Sequence, residues 1–385
     1  MVLFHGKTEI TAPDDTIGKD SCMRRLVIAN VSAMQALDEG AESYARPSLV
    51  RSPSTFASTA DELNAFNSLP QGCTTPAEVL VGTATRLNTT QWKAHYKTGR
   101  LPAGSLLEVG DDRLLTSAEY FFLKTAPKLS ITRAVLLGME LCGWYSTLMS
   151  RPYQAYRNHL IRAREVGLDT KPWPPVDWGM SLEHQRDLMR NGFVTRSPLT
   201  TTGGIADYLG RALSSKSNSR ALVACRLLQA DSHSPMESRL YARYCLPKRY
   251  GGLNLKPVQL NVEIPLTPEL ATATGIDKYT VDLFWPDAHI GIEYEGSPSH
   301  SGLTAEQKDR LKRNILESTG IRIISIDRKQ FANEDVLELY ARQIAKGLGI
   351  PKWTLNAKPS ERLARFELID DICSWDYDLY RPKRR

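Results

Sequence analysis

The chain has 385 residues and a net charge of +6, with 49 Lys and Arg against 43 Asp and Glu. That length allows two or three domains of roughly 100–200 residues each, and the ordinary apolar and charged fractions exclude a disordered or fibrous chain. No run approaches the roughly 20 apolar residues of a membrane span, the first residues lack a signal-like apolar region, and six scattered cysteines show no metal-ligand spacing.

The expectation is therefore a soluble, cytoplasmic protein with no membrane partner. A mildly basic balance permits contact with polyanions without demanding it. Residues 231–350 hold 15 Lys and Arg against 16 Asp and Glu, so the positive excess lies before them and in the tail Arg381-Pro-Lys-Arg-Arg385.

In chain order, residues 1–20 carry turn formers and little periodicity, which predicts a flexible end. Leu26-Val-Ile-Ala-Asn30 reads as a strand running into a helix over Val31–Leu37. Ser-, Pro- and Thr-rich residues 40–60 read as a loop. Short strands are expected at Glu78–Gly82, Trp92–Lys97 and Ser105–Gly110, separated by glycine turns. Ser117 and Ser130 then cap two helices, the second running from Ile131 to Cys142. Residues 21–150 thus form a small α/β domain, and 151–230 a connector with helices near 203–213 and 218–230. Tryptophans 92, 144, 173 and 178 show no stacking pattern and are expected in the core.

Ser234, Pro235 and Glu237 make a well-formed helix start, with the cap, the first helical position and a glutamate three residues after the cap. That helix runs to about Leu246, and strand material follows near 258–264. Then comes the most informative run, Tyr279-Thr-Val-Asp-Leu-Phe-Trp-Pro-Asp-Ala-His-Ile-Gly-Ile-Glu-Tyr-Glu-Gly296. It reads as a β-hairpin around a Pro-Asp turn, with three carboxylates inside apolar strand sequence: Asp282, Glu293 and Glu295. Glu293 and Glu295 share one face by strand alternation. Pairing brings Asp282 close to them. Such charges are costly at the edge of a core unless a cation compensates them, and hard oxygen ligands suit Mg²⁺ or Mn²⁺. Asp287 lies at the turn, where an aspartate after proline shapes the chain, so Asp282 is the better candidate ligand. An amphipathic helix over 304–318, a strand over 321–327 and a helix over 333–347 complete the unit. Residues 351–385 are left as an extension with a basic end.

This order of elements, with these acids, resembles the PD-(D/E)XK nuclease superfamily. Within it the chain looks most like the branch related to very-short-patch mismatch repair endonucleases. The resemblance covers about residues 231–350. Residues 21–150 resemble, faintly, the antitoxin domain of the abortive-infection AbiEi type. The implied fold class is α/β: a restriction-endonuclease-like mixed sheet flanked by helices, behind a separate N-terminal α/β domain. The implied function is metal-dependent hydrolysis of DNA, with a protein partner as a further candidate through the N-terminal domain.

On that resemblance Asp282 matches the first metal-binding aspartate and Glu293 the acid opening the half-motif. Glu237 matches the glutamate of the first helix that completes the metal site. Glu295 stands at the usual lysine position, where this branch commonly has an acid. His300 and the pair Asp309 and Arg313 match residues of the branch. With no lysine at 295, Lys308, Lys312 and His300 are the candidates for orienting water. Arg310, Arg328 and Lys329 are candidate phosphate contacts. The alternatives are a nuclease fold without turnover, acting as a DNA-binding regulator or antitoxin-like partner, and an interaction module whose acids set only solubility.

Overall fold

The computed structural model describes residues 24–40, 46–48, 51–66, 68–73, 75–83, 88–97, 99–110, 112–147, 181–212, 219–295, 302–351, 353–355 and 358–373. At residues 46, 47, 189, 190, 219 and 302–309 only the backbone is described. The loose N-terminus, Lys171–Pro175, Trp173, Trp178, His300 and the basic tail lie outside the described residues, as do the side chains of Lys308 and Asp309.

The N-terminal half is built on a mixed sheet of β1 (Leu26–Ile28), β2 (Arg46–Pro47), β3 (Ala77–Val81), β4 (Trp92–Tyr96), β5 (Leu106–Glu108) and β6 (Arg113–Thr116). Their order across the sheet is β2-β5-β6-β1-β3-β4. β1 is buried at every position and pairs in parallel with β6 and antiparallel with β3. This explains its unbroken Leu-Val-Ile run, because a strand covered on both faces has no polar side to present. Helices α1 (Asn30–Asp38), α2 (Ala60–Asn64), α3 (Ala118–Thr125) and α4 (Ile131–Leu141) surround it. Ser117 and Ser130 accept from the amides of Tyr120 and Arg133, so both predicted caps are in place.

The stretch expected as connector contributes a two-stranded ribbon, β7 (Tyr145–Ser146) with β8 (Val194–Thr195), and helices α5 (Leu182–Asn191), α6 (Thr202–Ala212) and α7 (Ser219–Cys225). α5 carries readable end signals: Ser181 accepts from the His184 amide, and Gly192 closes the helix at φ 78°.

The C-terminal half begins with α8 (Pro235–Cys245), followed by β9 (Gln259–Pro265), α9 (Pro268–Thr274), β10 (Lys278–Trp285) and β11 (Ile290–Tyr294). Then come α10 (Gly302–Ser318), β12 (Arg322–Ile326), α11 (Arg328–Phe331), α12 (Glu334–Gly347) and α13 (Pro359–Cys373). The sheet order is β12-β11-β10-β9, antiparallel except for the parallel β11–β12 pair, which α10 connects. Gly291 permits close packing here, since a Cβ would lie 2.6 Å from Val281 Cγ1 and 2.8 Å from Ile323 Cδ1. Val281, Phe284, Leu316, Ile321 and Ile323 close the α10 side, while Leu283, Trp285, Ile292 and Ile326 join the main core.

That main core runs without a break from Leu26 to Ile372. Its hinge element is α4, whose residues from Thr132 to Leu141 are all buried and which contacts α7, α8 and α13. Residues 359–373, expected as extension, are fastened here. Asp371 accepts from Ser130 Oγ at 2.6 Å and from Arg133 Nε at 3.0 Å, with both charged partners buried. Removing one partner of such a pair strands the other charge. We expect Asp371→Ala to lower stability in urea unfolding by on the order of 3 kcal/mol. The double variant Arg133→Met with Asp371→Leu should recover most of that loss.

Candidate functional site

The site is assembled at the start of α8 and the adjoining ends of β9, β10 and β11. Ser234 caps α8 by accepting from the Glu237 amide at 3.2 Å. Glu237 is itself buried, and its Oε2 accepts from the His233 amide at 2.7 Å and from Asn261 Nδ2 at 2.6 Å. Glu237 thus accepts from the residue before the N-cap, and the same carboxylate acts on Asp282 of β10. Burial raises its pKa against those hydrogen bonds.

Asn261 holds a left-handed φ of 48°, tolerable for asparagine, and also donates to the carbonyl of Asp231, whose φ is 66°. The β9–β10 ladder pairs Val281 with Val262 and Leu283 with Leu260, and skips the step between them, where Asn261 stands opposite Asp282. The sheet is therefore kinked where the carboxylates meet.

Asp282 is half-buried, and its Oδ2 accepts from the Tyr294 amide at 2.8 Å. Its pKa is pushed up to about 6, chiefly by burial and then by the charge of Glu237, against the pull of the Tyr294 amide and Lys312. Glu293 pairs with Lys312 of α10, and the same ammonium donates to the carbonyl of Thr280 at 2.7 Å. Lys312 thus enters the site from the helix after the hairpin. Glu295 is exposed and lies 3.4 Å from Arg313, which also donates to Ser325 Oγ at 2.7 Å. The side chain of Asp309, the partner expected for Arg313, lies outside the described residues; the described partners of Arg313 are Glu295 and Ser325.

Asp287 is exposed in the turn Pro286–Ala288, away from the acids. Arg310, Arg328 and Lys329 are exposed, and the charge of Arg328 reaches the half-buried Tyr294. Trp92 is buried as expected, but Trp144 is not: it is 41% exposed beside His233. It sits on the short link between α4 and β7, next to the fully buried Tyr145. Asn261, His233 and Trp144 carry no periodic signal in the sequence, and only the positive-φ tendency of asparagine hinted at the first.

Among the described residues no group of three or more His, Cys, Asp and Glu side chains is placed to hold a metal ion. Asp282 and Glu237 form a mutually repelling pair, whereas Glu293 is turned onto Lys312. Two hard carboxylates still suit Mg²⁺, which is commonly held by one or two carboxylates together with waters and substrate phosphates. Among the described residues no helix is long and apolar enough to cross a membrane. Comparisons with protein-family models, curated proteins and solved structures gave no match.

The raised pKa of Asp282 has a defined sign. The folded state favours its neutral form, so this group's contribution to stability is greatest below pH 4 and is lost as pH rises towards 6. Asp282→Asn keeps an acceptor for the Tyr294 amide and removes the charge. In chelator we expect it to stabilise the fold at pH 7.5 by on the order of 1–3 kcal/mol, with the gain vanishing near pH 4. Thermal unfolding across pH measures this; a pH-independent difference would contradict it.

Proposed function

We propose that the chain is a metal-dependent endonuclease that hydrolyses DNA phosphodiester bonds, in a repair-like or defence-related role. The observation that carries this reading is the carboxylate pair Asp282 and Glu237. It lies, with Glu237 buried and Asp282 half-buried, where an α–β–α–β–β–α–β unit, α8 to β12, gathers the start of a helix and the edge of a hairpin. A like-charged pair of this kind, only partly offset by hydrogen bonds and Lys312, costs stability that a bound cation would return.

Asp282 and Glu237 are the residues that would hold Mg²⁺ or Mn²⁺, with Glu293 adjacent on β11. Held there, the ion supplies Lewis-acid charge to a scissile phosphate. Lys312 answers the absence of a lysine at position 295. Its ammonium is fixed by Glu293 and the Thr280 carbonyl, in electrostatic reach of Asp282. There it can orient an attacking water and offset charge developing on the phosphate. Arg310, Arg328 and Lys329 present cations on neighbouring surfaces for flanking phosphates.

One observation favours the second reading, a nuclease fold without turnover acting as a DNA-binding regulator or antitoxin-like partner. Lys312 engages Glu293, and among the described residues no third acid joins the pair. Cleavage of supercoiled plasmid with Mg²⁺ or Mn²⁺ separates the two. Cleavage should be lost in Asp282→Ala and Glu293→Ala. In Lys312→Met the rate should fall about 100–1000-fold while Mg²⁺ still raises the melting temperature. Salt-sensitive DNA binding without cleavage by either metal would move the assignment to the second reading.

A further inference from the structure

Trp144 is the exposed one among the described tryptophans, the others being Trp92, Trp285 and Trp353. Its backbone is held at both ends: the amide donates to Ser232 O at 2.8 Å and the carbonyl accepts from the Arg196 amide at 3.0 Å. Arg196 is buried, with its guanidinium on Asp38 at 2.5 Å and on the carbonyls of Gly143 and Glu140 at 3.0 Å. The neighbouring Tyr145 is fully buried and donates to Ser238 Oγ at 2.9 Å, which bonds Ser232 Oγ at 2.8 Å. The link that carries the indole is thus tied rigidly to the first turn of α8.

The exposed indole meets the imidazole of His233 edge-on, with ring centroids 5.8 Å apart at 64°. His233 is exposed too, and its own amide donates to Glu237. The aromatic pair is therefore one hydrogen bond from a carboxylate of the candidate site. A flat ring on a firmly tied backbone, left partly open to solvent, has the form of a stacking platform, and every nucleobase has a face that can use one. Inside a paired duplex both faces of each base are already stacked, so an internal base must be unpaired to lie on it.

We propose that Trp144, edged by His233, is a stacking shelf for an unpaired nucleobase flanking the phosphate bound at Asp282 and Glu237. The substrate is then single-stranded or locally opened nucleic acid. The placement beside a scissile phosphate rests on the nuclease reading; base stacking on the shelf does not. Direct binding in chelator tests it, using fluorescence anisotropy with labelled oligothymidylate, oligouridylate, a strand of abasic sites of equal length, and a duplex. Base-bearing single strands should bind more tightly than the abasic strand. Trp144→Ala should weaken them about 5- to 150-fold, Trp144→Tyr should retain most affinity, and abasic binding should not change. His233→Ala, which leaves the backbone bond to Glu237, should give a smaller loss in the same direction. The ratio of thymidylate to uridylate affinity assigns the strand to DNA or RNA.

Equal binding of abasic and base-bearing strands would overturn the shelf, as would equal loss for all ligands in Trp144→Ala. Metal-dependent cleavage that needs Asp282 but ignores Trp144 would sink the shelf and leave the nuclease. Base-dependent binding lost in Trp144→Ala, without cleavage by any metal, would keep the shelf and sink the nuclease.

Discussion

The start of α8 is the constraint on which the rest of the structure depends. The helix is buried along nearly its whole length because it packs against α4 on one side and the C-terminal sheet on the other. Its first turn must therefore be satisfied internally. Ser234 meets this need for the amide of Glu237, and Glu237 accepts in turn from the His233 amide just before the helix. The consequence is a carboxylate buried by a structural duty and then aimed at Asp282. Cap, kinked strand and acid pair are one arrangement rather than three.

The same helix joins the halves of the molecule. Tyr145 and Trp144 of the N-terminal half bond Ser238 and Ser232 around its first turn, and Arg243 near its end pairs with Glu334 of α12. Arg365 of α13 shares that glutamate at 3.2 Å, while Asp371 returns to α4. Buried ion pairs contribute little net stability and are severe when half-removed. They act here as register pins along a continuous apolar core. An N-terminal half so fixed to the helix that carries Glu237 is part of how the site is built.

Much of the candidate site was legible in the local pattern. The alternation in Tyr279–Glu295 defined the hairpin, and the Pro286 turn separated Asp287 from Asp282. Ser234, Pro235 and Glu237 announced the helix start. Other parts were not legible because no periodic rule describes them. The left-handed Asn261 breaks a ladder at one step. Lys312 reaches Glu293 across a helix–sheet interface. α13 has apolar residues on several sides, so its sequence resembles a tail until α4 and the turn before Gly251 cover it.

By itself the sequence determined the hairpin strands, the starts of α3, α4 and α8, and which carboxylates lie on hairpin and helix start. Those properties follow from spacing along one chain, where side-chain direction repeats every two residues in a strand and every 3.6 in a helix. Only the tertiary structure decided the rest: that Glu237 faces Asp282, that Lys312, 19 residues beyond Glu293, serves the hairpin, and that Trp144 stays partly in solvent. Each of these depends on how separate elements approach one another, a distance that close packing sets and local spacing does not encode.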